Sequence, residues 1–194
     1  LIERVSDLGL PVVLWERFVP GIFPSALTDH RSGTRQAGQY LMELGHDHVF
    51  LVAAHANTWT GREQVEGMRE GIAGHALLDI RHTGRLDVPE FLASVAVSSG
   101  RRAVVANIHD IPELMLAARR AGVHCPDDIS MISIGDDPFL EITAPPVSAI
   151  RIKPSEIGRI AAETLLAMLA SQDGAATAPS TPVIPDFVVR GSCR

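Results

Sequence analysis

The sequence predicts an α/β protein in which a parallel sheet is covered by helices on both faces, and three observations predict it. Short apolar, β-branched runs alternate with longer helical patterns along the whole chain. Those runs lack polar alternation, as strands buried on both faces require. The stretch from Ala121 to Ile150 then joins helix end, buried strand, acidic loop and second strand with almost no slack. Gly122 closes a helix, Pro126-Asp127-Asp128 turns the chain, and Ile129 to Ile134 is the buried strand. Gly135-Asp136-Asp137-Pro138 follows at its carboxyl end, the end at which open sheets of this class bind ligands.

In order along the chain, Leu1 to Gly9 reads as the tail of a helix and Pro11 to Trp15 as a short strand after a Gly-Leu-Pro turn. Ser25 to Thr28 is a further short strand, and Asp29 is placed to cap a helix over Arg31 to Leu44 that stops at Gly45. His48 to Ala53 is a buried strand. A helix runs from Trp59 or Thr60 to Gly71, Leu77 to Arg81 is a weaker strand, and Val88 to Val97 is a helix capped by Asp87. Arg102 to Ala106 (strand), Ile111 to Ala121 (helix), Ile129 to Ile134 and Val147 to Ile152 (strands) continue the alternation. Ser155 caps a periodic helix to Ala170 with Ile157, Ile160, Ala161, Leu165 and Met168 on one face. A Gly/Ala/Thr/Pro-rich linker from Asp173 to Pro182 leads to a last strand, Asp186 to Arg190.

At 194 residues the chain is long enough for one large domain or two small lobes, and its 46% hydrophobic content supports a core. A net charge of -6, with 17 basic residues scattered rather than striped, argues against nucleic-acid binding by this segment. No apolar run approaches the roughly 18 residues of a membrane span, and Leu1 to Leu14 lacks a signal-peptide pattern. Cys125 and Cys193 lie far apart and in no metal or redox spacing, so a reduced, cytoplasmic setting without a structural disulfide is expected.

Several segments, taken in order, resemble the effector-binding core of LacI/GalR-type transcriptional regulators. They are LPVVLWER (Leu10 to Arg17), DHRSGTRQAGQYLMELGHDHV (Asp29 to Val49), Gly61-Arg62-Glu63 with Gly67-Met68, Ala106-Asn107, the Ala121 to Ile150 stretch, Glu156-Ile157-Gly158 and the closing Val188-Val189-Arg190-Gly191-Ser192. The resemblance covers essentially the whole chain. It implies a periplasmic-binding-protein-like fold of two doubly wound lobes, a small ligand closed between them, and no catalysis. It also implies a homodimer whose operator DNA is contacted by an N-terminal helix-turn-helix module. Against that pattern the chain lacks the DNA-binding module and the opening elements of the first lobe. Residues 1–30 and 149–170 are assigned to an incomplete N-terminal lobe, 31–148 and 183–194 to the C-terminal lobe, and 171–182 to a linker.

The resemblance also points to ligand-binding residues. Glu16 ends a strand where the family has an acid that accepts from ligand hydroxyls, and Arg62 stands in a first helical turn where a guanidinium fork grips ligand oxygens. Asn107 ends the strand Arg102 to Ala106, and its amide both donates and accepts. The family pattern there is Asn-Asp, whereas this chain has Asn107-Ile108. Spacing back from Pro145-Pro146 sets Gly135 where many members carry a ligand-binding Asp, and Asp136 on the next, more structural acid, with a ligand role still open to it. Trp59 and His55 follow a strand end and are positioned to line a cleft, the indole offering a flat face; helix packing is the alternative for Trp59.

His46 and His48 lack a third ligand, so no metal is expected, and no cofactor motif is present. The reading is an effector-sensing core for a sugar-like molecule. A solute-binding protein of a sugar uptake system and a doubly wound enzyme stand as alternatives.

Overall fold

The computed structural model describes residues 10–84, 86–170 and 181–194. In chain order the elements are β1 (Leu14–Trp15), β2 (Ser25–Ala26), α1 (His30–Glu43), β3 (His48–Ala53), α2 (Trp59–Ile72), β4 (Leu77–His82), α3 (Val88–Val97), β5 (Arg102–Asn107), α4 (Ile111–Arg120), β6 (Ser130–Ile134), α5 (Phe139–Ile142), β7 (Ser148–Arg151), α6 (Pro154–Ala170) and β8 (Asp186–Val188). They belong to two compact units, residues 1–29 with 153–184 and residues 30–152 with 185–194.

In the smaller unit β1 and β2 pair in parallel, and a bridge joins Thr28 to Val183. Ile157, Ile160 and Ala161 of α6 pack on Ala26 and Val183, so the periodic face read from the sequence is the face that packs. The helix starts at Pro154, one residue before the expected cap, because the fixed φ of proline suits a first helical position. Ser155 therefore lies inside the helix.

The larger unit is a six-stranded sheet in the order β4-β3-β5-β6-β7-β8, parallel from β4 to β7. Leu41 of α1 and Met68 and Ile72 of α2 cover one face against Val49, Leu51, Val105 and Ile132. Phe91 and Leu92 of α3 with Ile111 and Leu114 of α4 cover the other against Phe50, Val52, Val104 and Met131. This alternation of inward-facing side chains along each strand explains why the strands read as continuous apolar runs. α1 and α2 approach closely through glycines: a Cβ on Gly38 would lie 2.9 Å from the Gly71 Cα.

Three expectations are corrected. β8 pairs antiparallel with β7, with Ala149 opposite Val188 and Ile150 opposite Phe187, so the sheet is mixed; at three residues β8 is too short for its local pattern to reveal its direction. β7 belongs to the larger unit, which moves residues 149–152 out of the first-lobe remnant. Its Ser148 and Ile150 are in register with Ile132 and Ile134 of β6, and Ala149 and Ile150 fill opposite faces of the core. Residues 183 and 184 go the other way: the Val183 amide donates to the Leu27 carbonyl and its carbonyl accepts from Asp29 N, both at 2.8 Å, within the smaller unit. The expected helix tail over Leu1 to Gly9 and nearly all of the 171–182 linker lie outside the described residues.

Candidate functional site

The strand order creates one distinctive place. From β3 the chain passes to β4 on one side, then returns to β5 on the other. α2, which leaves β3, and α4, which leaves β5, therefore cover opposite faces, and their loops diverge above the carboxyl ends of β3 and β5. Such a switch point is where doubly wound sheets hold ligands.

Asn107 closes β5 there, half-buried, and its Nδ2 donates to the Val52 carbonyl of β3 at 3.1 Å. The loop after β3 is held at several atoms. Gln64 Oε1, buried inside α2, accepts from Ala54 N at 2.7 Å. Thr58 caps α2, its hydroxyl accepting from Gly61 N at 3.0 Å and donating to the His55 carbonyl at 2.6 Å. Gly61 is required, since a Cβ would stand 2.7 Å from the Ala54 carbonyl oxygen. His82 at the end of β4 completes the brace, its Nδ1 donating to the Ala54 carbonyl at 2.7 Å.

This braced loop presents three of the sequence-predicted residues. Arg62 is exposed in the first turns of α2, and among the described residues no hydrogen bond or ion pair holds its guanidinium. Of the two acids that could pair with it on the helix surface, Glu63 and Glu66, Glu66 is bound to Arg69 at 2.7 Å. His55 is exposed, with its ring beside Gly84: a Cβ there would lie 3.4 Å from the His55 Cε1. Trp59 opens α2 and meets the His30 ring edge-on at 5.9 Å between centroids, so it has a packing role besides any contact with a ligand.

Asp136 follows β6 but is engaged by the protein. Arg190 donates from Nη1 to Oδ1 at 2.9 Å and from Nη2 to Oδ2 at 3.0 Å, and Arg151 Nε reaches Oδ2 at 2.7 Å. Burial pushes this carboxyl up, but the hydrogen bonds from Arg190 and Arg151 outweigh it and hold Asp136 below the ordinary carboxylate range. Glu16 lies in the smaller unit at a left-handed φ of 52°, and its Oε1 accepts from Thr28 N and Oγ1 at 2.8 and 2.7 Å. His46 and His48 do not converge: His46 contacts the Leu41 carbonyl and Ser130, His48 contacts Asp79. Among the described residues no group of three or more His, Cys, Asp or Glu side chains is placed to hold a metal ion.

Gln64 and His82 were not singled out from the sequence. A glutamine two positions beyond Arg62 on a buried helix face is the only signal that points to the first. Cys125 and Cys193 are free thiols, and burial pushes Cys125 up to about 12, leaving it no thiolate for nucleophilic chemistry.

The fold and switch point define a doubly wound ligand-binding domain. A family model described as a periplasmic binding protein-like domain matches residues 39–193. The HTH-type transcriptional regulator reg1 of Streptomyces lividans is 27% identical over 98% of this chain and 58% of its own length. The ribose operon repressor of Bacillus subtilis is 27% identical over 94% of this chain and 57% of its own. Among solved structures, a LacI family regulator from Enterococcus faecalis with bound ribose has a TM-score of 0.85 at 18% identity, covering 98% of this chain and 71% of that one. A LacI family regulatory protein from Chloroflexus aggregans has a TM-score of 0.85 at 22% identity, covering 100% and 72%.

The chain belongs to the periplasmic-binding-protein-like family and is similar to the effector-binding cores of LacI-type regulators. It spans 58% of the length of the first of these relatives. The relatives named here are transcriptional regulators.

Proposed function

We propose that the chain senses a small polar effector, a sugar or sugar derivative, and controls operator binding by a DNA-binding module of the full-length regulator. The observation that carries this is the braced rim at the switch point, where Arg62 carries an unengaged guanidinium and Asn107 is pinned to β3 with its amide oxygen unspent. Such a rim supplies directional donors and an acceptor for oxygen-rich ligands without a nucleophile or metal for turnover. Binding acts by favouring one of two conformations, and its leverage is the difference in affinity for the two. For Glu16 the ligand role rests on the resemblance, beside the local bond to Thr28. The intact protein works in the cytoplasm, and among the described residues no helix is long and apolar enough to cross a membrane.

A thermal-shift screen of the full-length protein against sugars, polyols, sugar phosphates and nucleosides tests the reading. The expected result is stabilisation by one class that disappears in Arg62→Ala; a well-folded protein that no compound stabilises would overturn it.

The regulator is also proposed to act as a homodimer. An apolar groove of about 440 Å³ between α4 and α5, lined by Pro112, Met115, Leu116 and Phe139, supports this, with Leu116 and Ile142 exposed. Sedimentation of Leu116→Glu should show monomer where the parent is dimer.

A further inference from the structure

Among the described residues at the carboxyl-terminal rim of the larger unit, Asp136, Asp137 and Glu141 are engaged within the protein, and so are Arg151 and Arg190, whereas the Arg62 guanidinium has no hydrogen-bond or ion-pair partner. Asp136 is held by Arg190 and Arg151, and Glu141 pairs with Arg190 at 3.0 Å. Asp137 accepts from Phe139 N at 3.0 Å. Asp110 accepts from the Thr83 hydroxyl at 3.2 Å through Oδ1, while its buried Oδ2 has no hydrogen-bond partner among the described residues.

Where the family pattern would set two more acids, this chain has Ile108 and Gly135, and the two close on each other. A Cβ on Gly135 would lie 3.1 Å from the Ile108 Cγ2, and its φ of 105° disfavours any side chain there. Beside Asn107, the Ile108–Gly135 contact thus presents hydrocarbon. The β3 side carries the Arg62 guanidinium and the His55 ring.

A guanidinium with no protein counter-ion is best satisfied by a ligand that brings one, because a carboxylate or phosphate accepts two parallel N–H bonds in a fork. A neutral hydroxyl leaves the charge uncompensated. We infer that the effector is an anion, a sugar acid or a sugar phosphate ester, seated with its charged end on Arg62 and a carbon face toward Ile108. This deepens the effector-sensing reading and rests on it.

Titration calorimetry of the full-length protein at low salt tests it with ribose against ribose 5-phosphate and glucose against glucuronate, with inorganic phosphate as the bare-anion control. At least one charged sugar should bind about tenfold or more tightly than its neutral parent, the order expected for a hydrogen bond to a charged group. That advantage should weaken with added salt and collapse in Arg62→Gln. Preference for the phosphate ester or for the uronate identifies which anion is read.

Neutral sugars binding as well as their charged counterparts would overturn the inference while leaving sugar sensing intact. So would an advantage that survives in Arg62→Gln, or inorganic phosphate binding as tightly as the ester. If neither kind of sugar binds the folded protein, the sensing reading fails and the anion inference fails with it.

Discussion

The Asn107 amide nitrogen donates to the Val52 carbonyl oxygen at 3.1 Å, so the last residue of β5 is stitched to β3 across the switch point of the sheet. The carbonyl belongs to a strand interior, and the amide that reaches it is half-buried. Asn107→Ala removes one such bond and should cost about 1 kcal/mol in urea unfolding. Asn107→Asp should cost more, since it replaces the donor with a charged acceptor facing a carbonyl oxygen. An Asn107→Ala protein as stable as the parent would show that the stitch contributes nothing.

Asp136 and Arg190 lie 54 residues apart in sequence yet form a two-pronged ion pair, with side chains only 5% and 9% exposed. Removing one partner strands the other charge, so Asp136→Asn should lose about 3 kcal/mol or more. The pH dependence has a definite sign. The folded carboxyl titrates below its unfolded value, so its contribution is complete above an unfolded pKa of about 3.9 and is lost as acid takes the pH through the folded value. Acid-unfolding curves of parent and Asp136→Asn should therefore converge at low pH; parallel curves would refute the assignment.

Where local chemistry decides structure, sequence and structure agree residue for residue. α3 begins after Asp87, whose Oδ1 accepts from Glu90 N at 3.1 Å, and runs over the expected Val88–Val97. β3, too, keeps its expected limits of His48–Ala53. What depends on distant partners was not legible. The antiparallel β8, the transfer of residues 149–152 to the larger unit and the one-turn α5 all follow from neighbours remote in sequence. The candidate site divides the same way: Arg62 and Asn107 stand at element ends that the pattern locates, whereas the Asn107–Val52 bond and the Gln64 brace need tertiary contact.

His46, 4% exposed, acts as a neutral fastener. Its Nδ1 faces the Leu41 carbonyl at 3.1 Å and so carries the proton, leaving Nε2 to accept from the Ser130 hydroxyl at 2.9 Å. Burial, with Arg101 nearby, lowers its pKa despite the Leu41 hydrogen bond. The folded state resists a proton that the unfolded chain accepts, so this stability is whole above an unfolded pKa of about 6.5 and declines as the pH falls below it. His46→Gln should lower stability at pH 8 and flatten the slope between pH 7 and pH 5. A slope identical to the parent's would assign it to other groups.

The same substitution should have opposite signs on two helices. Glycine inside a helix normally costs about 1 kcal/mol relative to alanine. On α6, Gly158 is exposed and a Cβ there meets nothing within 4 Å, so Gly158→Ala should stabilise by up to that amount. On α2, a Cβ at Gly67 would land on the Arg31 carbonyl oxygen and the Thr34 hydroxyl, with the Arg31 carbonyl carbon 2.8 Å away. Those atoms belong to the backbone of α1 and to a side chain already bonded to the His30 carbonyl at 3.0 Å, so they cannot simply rotate aside. Gly67→Ala must push α1 and α2 apart, and overpacking of this kind costs about 1–3 kcal/mol, more than the helical gain returns. Thermal unfolding of the pair decides the matter. A Gly67→Ala protein as stable as the parent would mean that α1 gives way freely, and that the glycines at 38, 67 and 71 are not what sets the separation of the two helices.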